Sequence, residues 1–179
     1  MMKEVTLLDK TFALHIREEE ILRCVKSVAE RLNKDYKGKT PLLLCILNGS
    51  FMFASDLAKE LTFQCDISFT KRASYVGTQT TGKVQELIGI AENIEGRDVI
   101  IVEDIVDTGT TMRAILDSLA DRKAASVKVC TLFFKPEKLV EDIPVDYVAM
   151  EIGNDFIVGY GLDYDGKGRN LRDVYILKC

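Results

Sequence analysis

The chain has 179 residues, 47% of them hydrophobic, and 28 acidic against 24 basic side chains give it a net charge of −4. That length suits one domain with a real core, and the acidic balance argues against a duplex nucleic-acid binder, which carries a basic excess. No run reaches the roughly 18–20 apolar residues of a membrane span. The five cysteines, at 24, 45, 65, 130 and 179, show no CxxC spacing. A metal cluster or disulfide framework is therefore not expected, and a reduced, cytoplasmic protein is.

The first dozen residues lack the apolar stretch of a signal peptide. Residues 18–34 read as a helix, with Ile21, Val25, Val28 and Leu32 at helical spacing and Glu18, Glu19 and Glu20 at the positive end of its dipole. PLLLCIL (41–47) is an all-apolar run expected of a strand buried on both faces. Asn48-Gly49-Ser50 follows as a turn and N-cap, and 51–61 reads as a helix. Residues 64–75 read as a strand leaving the core. The Thr- and Gly-rich stretch 76–85 is a mobile loop or an exposed ribbon, and 86–90 a returning strand. DVIIV (98–102) is another buried strand, and a helix stripe of Met112, Ile115, Leu116 and Leu119 follows it. Strands are expected at 126–134, 146–152 and 156–160, and an edge strand at 174–177. Cys45 and Cys130 lie in apolar runs and read as core. His15, the only histidine, reads as structural or exposed.

Alternation of apolar strands with helices predicts an α/β fold with a parallel sheet, which binds ligands beyond the carboxyl ends of its strands. Polar and charged residues collect there: LNGS after 47, EDIVDTGTT after 102, Lys135, and LDYDGKGR after 160. Thr108-Gly109-Thr110-Thr111 lies between a buried strand and a helix. Its amides and hydroxyls can cradle a phosphate, with glycine allowing close approach. It matches neither a Walker A loop nor G-x-G-x-x-G, and an ordinary threonine cap is the alternative. Glu103, Asp104 and Asp107 stand beside it. They can accept hydrogen bonds from a sugar diol, hold Mg²⁺, or supply a base. A phosphorylated ribose needs both sets of groups, with its phosphate in the cradle and its diol over the acids.

VIIVEDIVDTGTT (99–111) resembles the phosphoribosyl-diphosphate (PRPP) motif of the type I phosphoribosyltransferases. ILNGSFMFASDL (46–57), SYVGTQTTGKV (74–84), LFFKPEK (132–138) and FIVGYGLDYDGKGRNL (156–171) extend the resemblance over nearly the whole chain. Together they are similar to the bacterial hypoxanthine-guanine phosphoribosyltransferases. The resemblance implies a central, twisted, mainly parallel sheet flanked by helices. It also implies a single domain over 1–179, with a small hood built from about 1–15 and 150–179.

The implied reaction is Mg²⁺-dependent transfer of the phosphoribosyl group from PRPP to hypoxanthine or guanine, giving IMP or GMP and pyrophosphate. Asp107 is implied as the general base toward purine N7, and Glu103 and Asp104 as ligands of the ribose hydroxyls. Thr108, Gly109, Thr110 and Thr111 are implied to hold the 5′-phosphate. Asn48, Gly49 and Arg169 are implied to bind pyrophosphate, with a cis peptide bond before Asn48. The purine falls to Ile105, Lys135, Phe156, Ile157 and Leu162: Lys135 donates to the 6-oxo group, Phe156 stacks and Ile157 offers main-chain contacts. Asp163 is implied as a Mg²⁺ ligand, with Glu103 and Asp104 as further candidates. Ser74 and Tyr75 belong to a closing loop. A homodimer or homotetramer is implied, without nucleic-acid or membrane partners.

Two features depart from the family pattern. Asn48 stands where many members have Lys or Arg, and Thr110 where some have Lys. Two rival readings are an enzyme with another purine preference, such as xanthine-guanine, and a PRPP- or purine-sensing regulator. The regulator needs a basic face or an extra binding domain, and the sequence offers neither.

Overall fold

The computed structural model describes residues 3–73 and 85–178. A six-stranded sheet forms its centre. Strand β3 (Leu42–Leu47) lies between β4 (Asp66–Ala73) and β6 (Asp98–Val106), and β7 (Ser126–Phe134) and β8 (Tyr147–Glu151) continue beyond β6. These five strands are parallel, and β5 (Gln85–Ile88) adds an antiparallel edge beside β4. The apolar runs make this arrangement, since β3 and β6 are buried on both faces. Helices α1 (Glu18–Asp35) and α2 (Phe51–Glu60) cover one face around Leu43, Cys45, Ile100 and Val102. Helix α3 (Thr110–Ala120) covers the other, around Leu44, Ile101 and Val129. Among the described residues no helix is long and apolar enough to cross a membrane.

A second, antiparallel sheet joins the two ends of the chain. Its order is β1 (Glu4–Leu7), β2 (Lys10–Ile16), β10 (Val174–Leu177) and β9 (Ile157–Val158). Asp173 ties it to the main body, because its Oδ1 accepts the Glu18 amide at the start of α1 at 3.0 Å.

Four expectations need correction. The strand read as 98–102 continues to Val106, so Glu103 and Asp104 lie within it; β7 pairs with it as far as Val106↔Phe134 and carries it on. The 156–160 strand shrinks to two residues and belongs to the second sheet, because Gly159 and Gly161 take positive φ and bend the chain away. The 174–177 strand lies between β2 and β9, and is not an edge. Ser50 precedes α2 without capping it, since its hydroxyl donates back to Ile46 O at 2.6 Å. Cys45 and Cys130 are buried core and His15 is exposed.

Candidate active site

The carboxyl ends of β3, β4, β6 and β7 open with β9 onto one cavity of about 520 Å³. Sixteen of the residues singled out from sequence lie in the described part, and all of them except Thr110 line it. Ser74 and Tyr75 lie outside the described residues. A larger hollow of about 740 Å³ around Lys3, Arg17 and Arg172 holds none of these residues. Its charges pair internally, Lys3 with Asp173 and Arg172 with Glu18.

The floor is the overrun of β6. Pairing with β3 ends at Cys45↔Val102, whereas pairing with β7 continues. Glu103 and Asp104 therefore stand where the chain after β3 turns through the cis Leu47–Asn48 peptide. Both carboxylates are buried. Asp104 Oδ1 accepts its neighbour's amide, Ile105 N, at 2.9 Å, and Glu103 Oε1 accepts Asp104 N at 3.2 Å. Burial pushes both carboxyl groups upward from the ordinary carboxylate range, and the charge on Asp104 pushes Glu103 further. Gly49 makes room for them, since a Cβ there would run into the Asp104 carboxylate.

The Thr108–Thr111 loop enters α3 through Gly109, at φ +87°. No side chain caps the helix, so the threonine-cap alternative does not form, and Thr111 and Met112 of its first turn line the cavity. Gly109 meets protein here: a Cβ would come within 2.9 Å of Leu139 and 3.1 Å of Ile143. Close approach to a ligand is therefore not what requires glycine. Thr110 turns aside, its hydroxyl 3.3 Å from that of Thr108, while Thr108 and Thr111 line the cavity.

The far end carries charge inside and an aromatic ring outside. Lys135, only 4% exposed, donates to Asp155 O at 2.9 Å and lies 3.5 Å from Asp107 Oδ2. Asp107 Oδ1 is buried without a hydrogen-bond partner. Phe156 is 46% exposed, backed by Phe12 at 6.3 Å and by the edge-on ring of Tyr164 at 6.1 Å. Arg169 closes the opposite rim, 2.7 Å from Asp163 and donating to Gly161 O at 2.8 Å.

Sequence reasoning missed Lys71, Val106 and Met112 in the lining. The signal for Lys71 was available, since it sits at the carboxyl end of a parallel strand and pairs in register with Leu47. It also missed Lys138, a second ammonium 3.5 Å from Asp107 Oδ2.

The phosphoribosyl transferase domain family matches residues 16–165. The hypoxanthine-guanine phosphoribosyltransferase of Streptococcus thermophilus (strain CNRZ 1066) is 48% identical over 162 residues, covering 90% of each chain. A hypoxanthine phosphoribosyltransferase structure from Staphylococcus aureus superposes with a TM-score of 0.87 at 42% identity, covering 92% of this chain and 90% of its own. The Trypanosoma cruzi hypoxanthine phosphoribosyltransferase, studied for the role of its C-terminal region in oligomeric state and activity, gives a TM-score of 0.88 at 36% identity. It covers 97% of this chain and 95% of its own. Fold, cavity and similarity agree, and the chain belongs to the phosphoribosyltransferase family, among the hypoxanthine-guanine phosphoribosyltransferases.

Proposed function

We propose that the cavity transfers the 5-phosphoribosyl group of PRPP to N9 of hypoxanthine or guanine, releasing pyrophosphate and IMP or GMP. The observation that carries this reading is the Asp107–Lys135 pair. It sets a carboxylate and a buried ammonium side by side, between an exposed aromatic ring and a buried acid pair. A 6-oxopurine stacked on Phe156 presents its oxygen to Lys135 and its N7–H to Asp107. A 6-amino group would face a donor there and be rejected.

Asp107 takes the N7 proton as N9 attacks the anomeric carbon and the bond to pyrophosphate breaks. Glu103 and Asp104 accept the ribose hydroxyls and favour the cationic sugar of the transition state. Thr108, Thr111 and the uncapped amides of α3 hold the 5′-phosphate. Asn48, Gly49 and Arg169 hold pyrophosphate, and Ile105, Ile157 and Leu162 border the base.

A metal-dependent PRPP reaction fits these donors, and we assign the metal as Mg²⁺. Among the described residues no cluster of three metal-ligating side chains exists. A Mg²⁺ ion held through one or two carboxylates would need no such cluster. Asp163, at the pyrophosphate rim, supplies one carboxylate, and the buried Glu103–Asp104 pair is a further candidate. When bound, the ion neutralises charge developing on the leaving group.

The chain is read as one domain with its hood from about 1–15 and 150–179, acting in the cytoplasm as a homodimer or homotetramer. Exposed Ile67 and Phe69 on one face of β4, with Ile88 on β5, support self-association, which sedimentation checks.

The test offers purified protein PRPP and Mg²⁺ with hypoxanthine, guanine, xanthine or adenine, and follows nucleotide and pyrophosphate. Turnover of 6-oxopurines and not adenine is expected, and the rates rank xanthine with the rest. Asp107→Asn is expected to lower kcat by about 10²-fold or more while PRPP still binds. Absence of turnover with every base, despite PRPP binding, refutes the reading.

A further inference from the structure

The segment after β7 supplies more than Lys135. Lys135 N donates to Val106 O at 3.0 Å, and Val140 N and Glu141 N donate to Thr108 O at 3.0 and 3.2 Å. The backbone on both sides of Asp107 is thereby clamped. Between these clamps Pro136 starts a 3₁₀ turn, Pro136–Lys138, closed by Lys138 N donating to Lys135 O at 3.1 Å. The turn brings Lys138 Nζ to 3.5 Å from Asp107 Oδ2, the same oxygen that Lys135 Nζ approaches at 3.5 Å. The other oxygen, Oδ1, is buried and has no partner.

Resting on the reading of Asp107 as the base, we propose that Lys138 is its positioning residue, holding the carboxylate through Oδ2 in the orientation that meets the purine N7 proton. Lys135 cannot do this alone. It already donates to Asp155 O, and in the reaction it is turned to the 6-oxo group. Lys138 itself is not among the residues that line the cavity. The proton passes from N7 to the Asp107 carboxylate, and neither lysine takes part in the transfer.

Lys138 and Asp107 are each about two-fifths exposed, at 40% and 38%. Such a pair adds little to folding stability. Its effect belongs in turnover, through the orientation of a group that must meet its proton squarely.

A double-mutant cycle tests this. Lys138→Met is expected to lower kcat about fivefold with the KM values for PRPP and hypoxanthine and the melting temperature little changed, and Lys138→Arg to restore most of the loss. On an Asp107→Asn background, Lys138→Met is expected to add nothing. An unchanged kcat in Lys138→Met overturns the proposal. So does a loss that persists in the Asp107→Asn background, or a raised KM for PRPP, either of which would make Lys138 a ligand contact. Parental turnover in Asp107→Asn overturns the base assignment and this inference together. An impaired Asp107→Asn with a silent Lys138→Met overturns this inference alone.

Discussion

Gly49→Ala isolates the contact between the turn after β3 and the acid pair of β6. Gly49 does not have a positive φ, so backbone strain plays no part. The three atoms nearest a Cβ at this position all belong to the Asp104 carboxylate, which must swing away. Doing so breaks its 2.9 Å hydrogen bond from Ile105 N, and Asp104 is only 8% exposed. Leaving such a group unpaired costs about 1–3 kcal/mol. For a chain of this size each kcal/mol lowers the melting temperature by about 2–4 °C, so a drop of roughly 2–12 °C is expected by circular dichroism. A displaced Asp104 also loses its register on the ribose, and kcat/KM for PRPP should fall on the order of 10²-fold. The double variant Gly49→Ala/Asp104→Ala removes the collision, so its melting temperature should recover while PRPP use stays low. Unchanged melting and unchanged PRPP kinetics in Gly49→Ala would refute the idea that this turn fixes Asp104.

The acid pair makes a second prediction through its titration. Glu103 and Asp104 have folded pKa values raised by burial, so between the ordinary carboxylate range and those raised values the folded state binds more protons than the unfolded. Their cost is absent below about pH 4 and grows as pH rises. Glu103→Gln should therefore melt above the parent at neutral pH in the absence of ligand, with the gap closing toward pH 4 and a smaller shift on adding PRPP. A gap that is flat with pH would count against the assignment. Lys135→Met removes the donor expected to meet the 6-oxo group and leaves Asp155 O unpaired. It should lower kcat/KM for hypoxanthine by about 5–150-fold, corresponding to about 1–3 kcal/mol, and narrow the discrimination against adenine. Parental use of hypoxanthine would remove Lys135 from base recognition.

The residues that were legible in the sequence are those whose environment is set by near neighbours. PLLLCIL is a buried strand wherever it sits in a sheet, and EDIVDTGTT carries its acids and phosphate loop within nine residues. The second sheet was not legible element by element, because its pairing spans the chain: Phe12 pairs with Leu177. Periodicity reports a strand and not its partner, so 174–177 read as an edge and Lys10–Ile16 was not separated from the terminal segment. Lys135 and Phe156 invert ordinary expectation for a different reason. Lysine is buried here because Asp155 O and Asp107 satisfy it, and phenylalanine is half exposed because the cavity leaves one face of its ring uncovered. Neither partner of Lys135 is near it in sequence.

On the proposed assignment, the overrun of β6 joins the ribose and pyrophosphate groups into one unit. Beyond Cys45↔Val102 the β3 side of β6 has no ladder partner, and the space is taken by the turn that carries Asn48 and Gly49. Gly49 packs on Asp104, and a Cβ on Gly161 would run into Gly49 O. Gly161 O in turn accepts Arg169, which pairs with Asp163. The links through Gly49 and Gly161 are glycine contacts with no side chain to give way, and the last is the ion pair between the Arg169 and Asp163 side chains. The Glu103–Asp104 pair, the turn after β3 and the Asp163 carboxylate are therefore joined by a short chain of contacts between the two sheets. The residues assigned to the purine come from β6, β7 and β9 and the segments beside them. On the proposed assignment, the leaving group and the ribose share one wall, the incoming base meets another, and Asp107 stands on the loop between them.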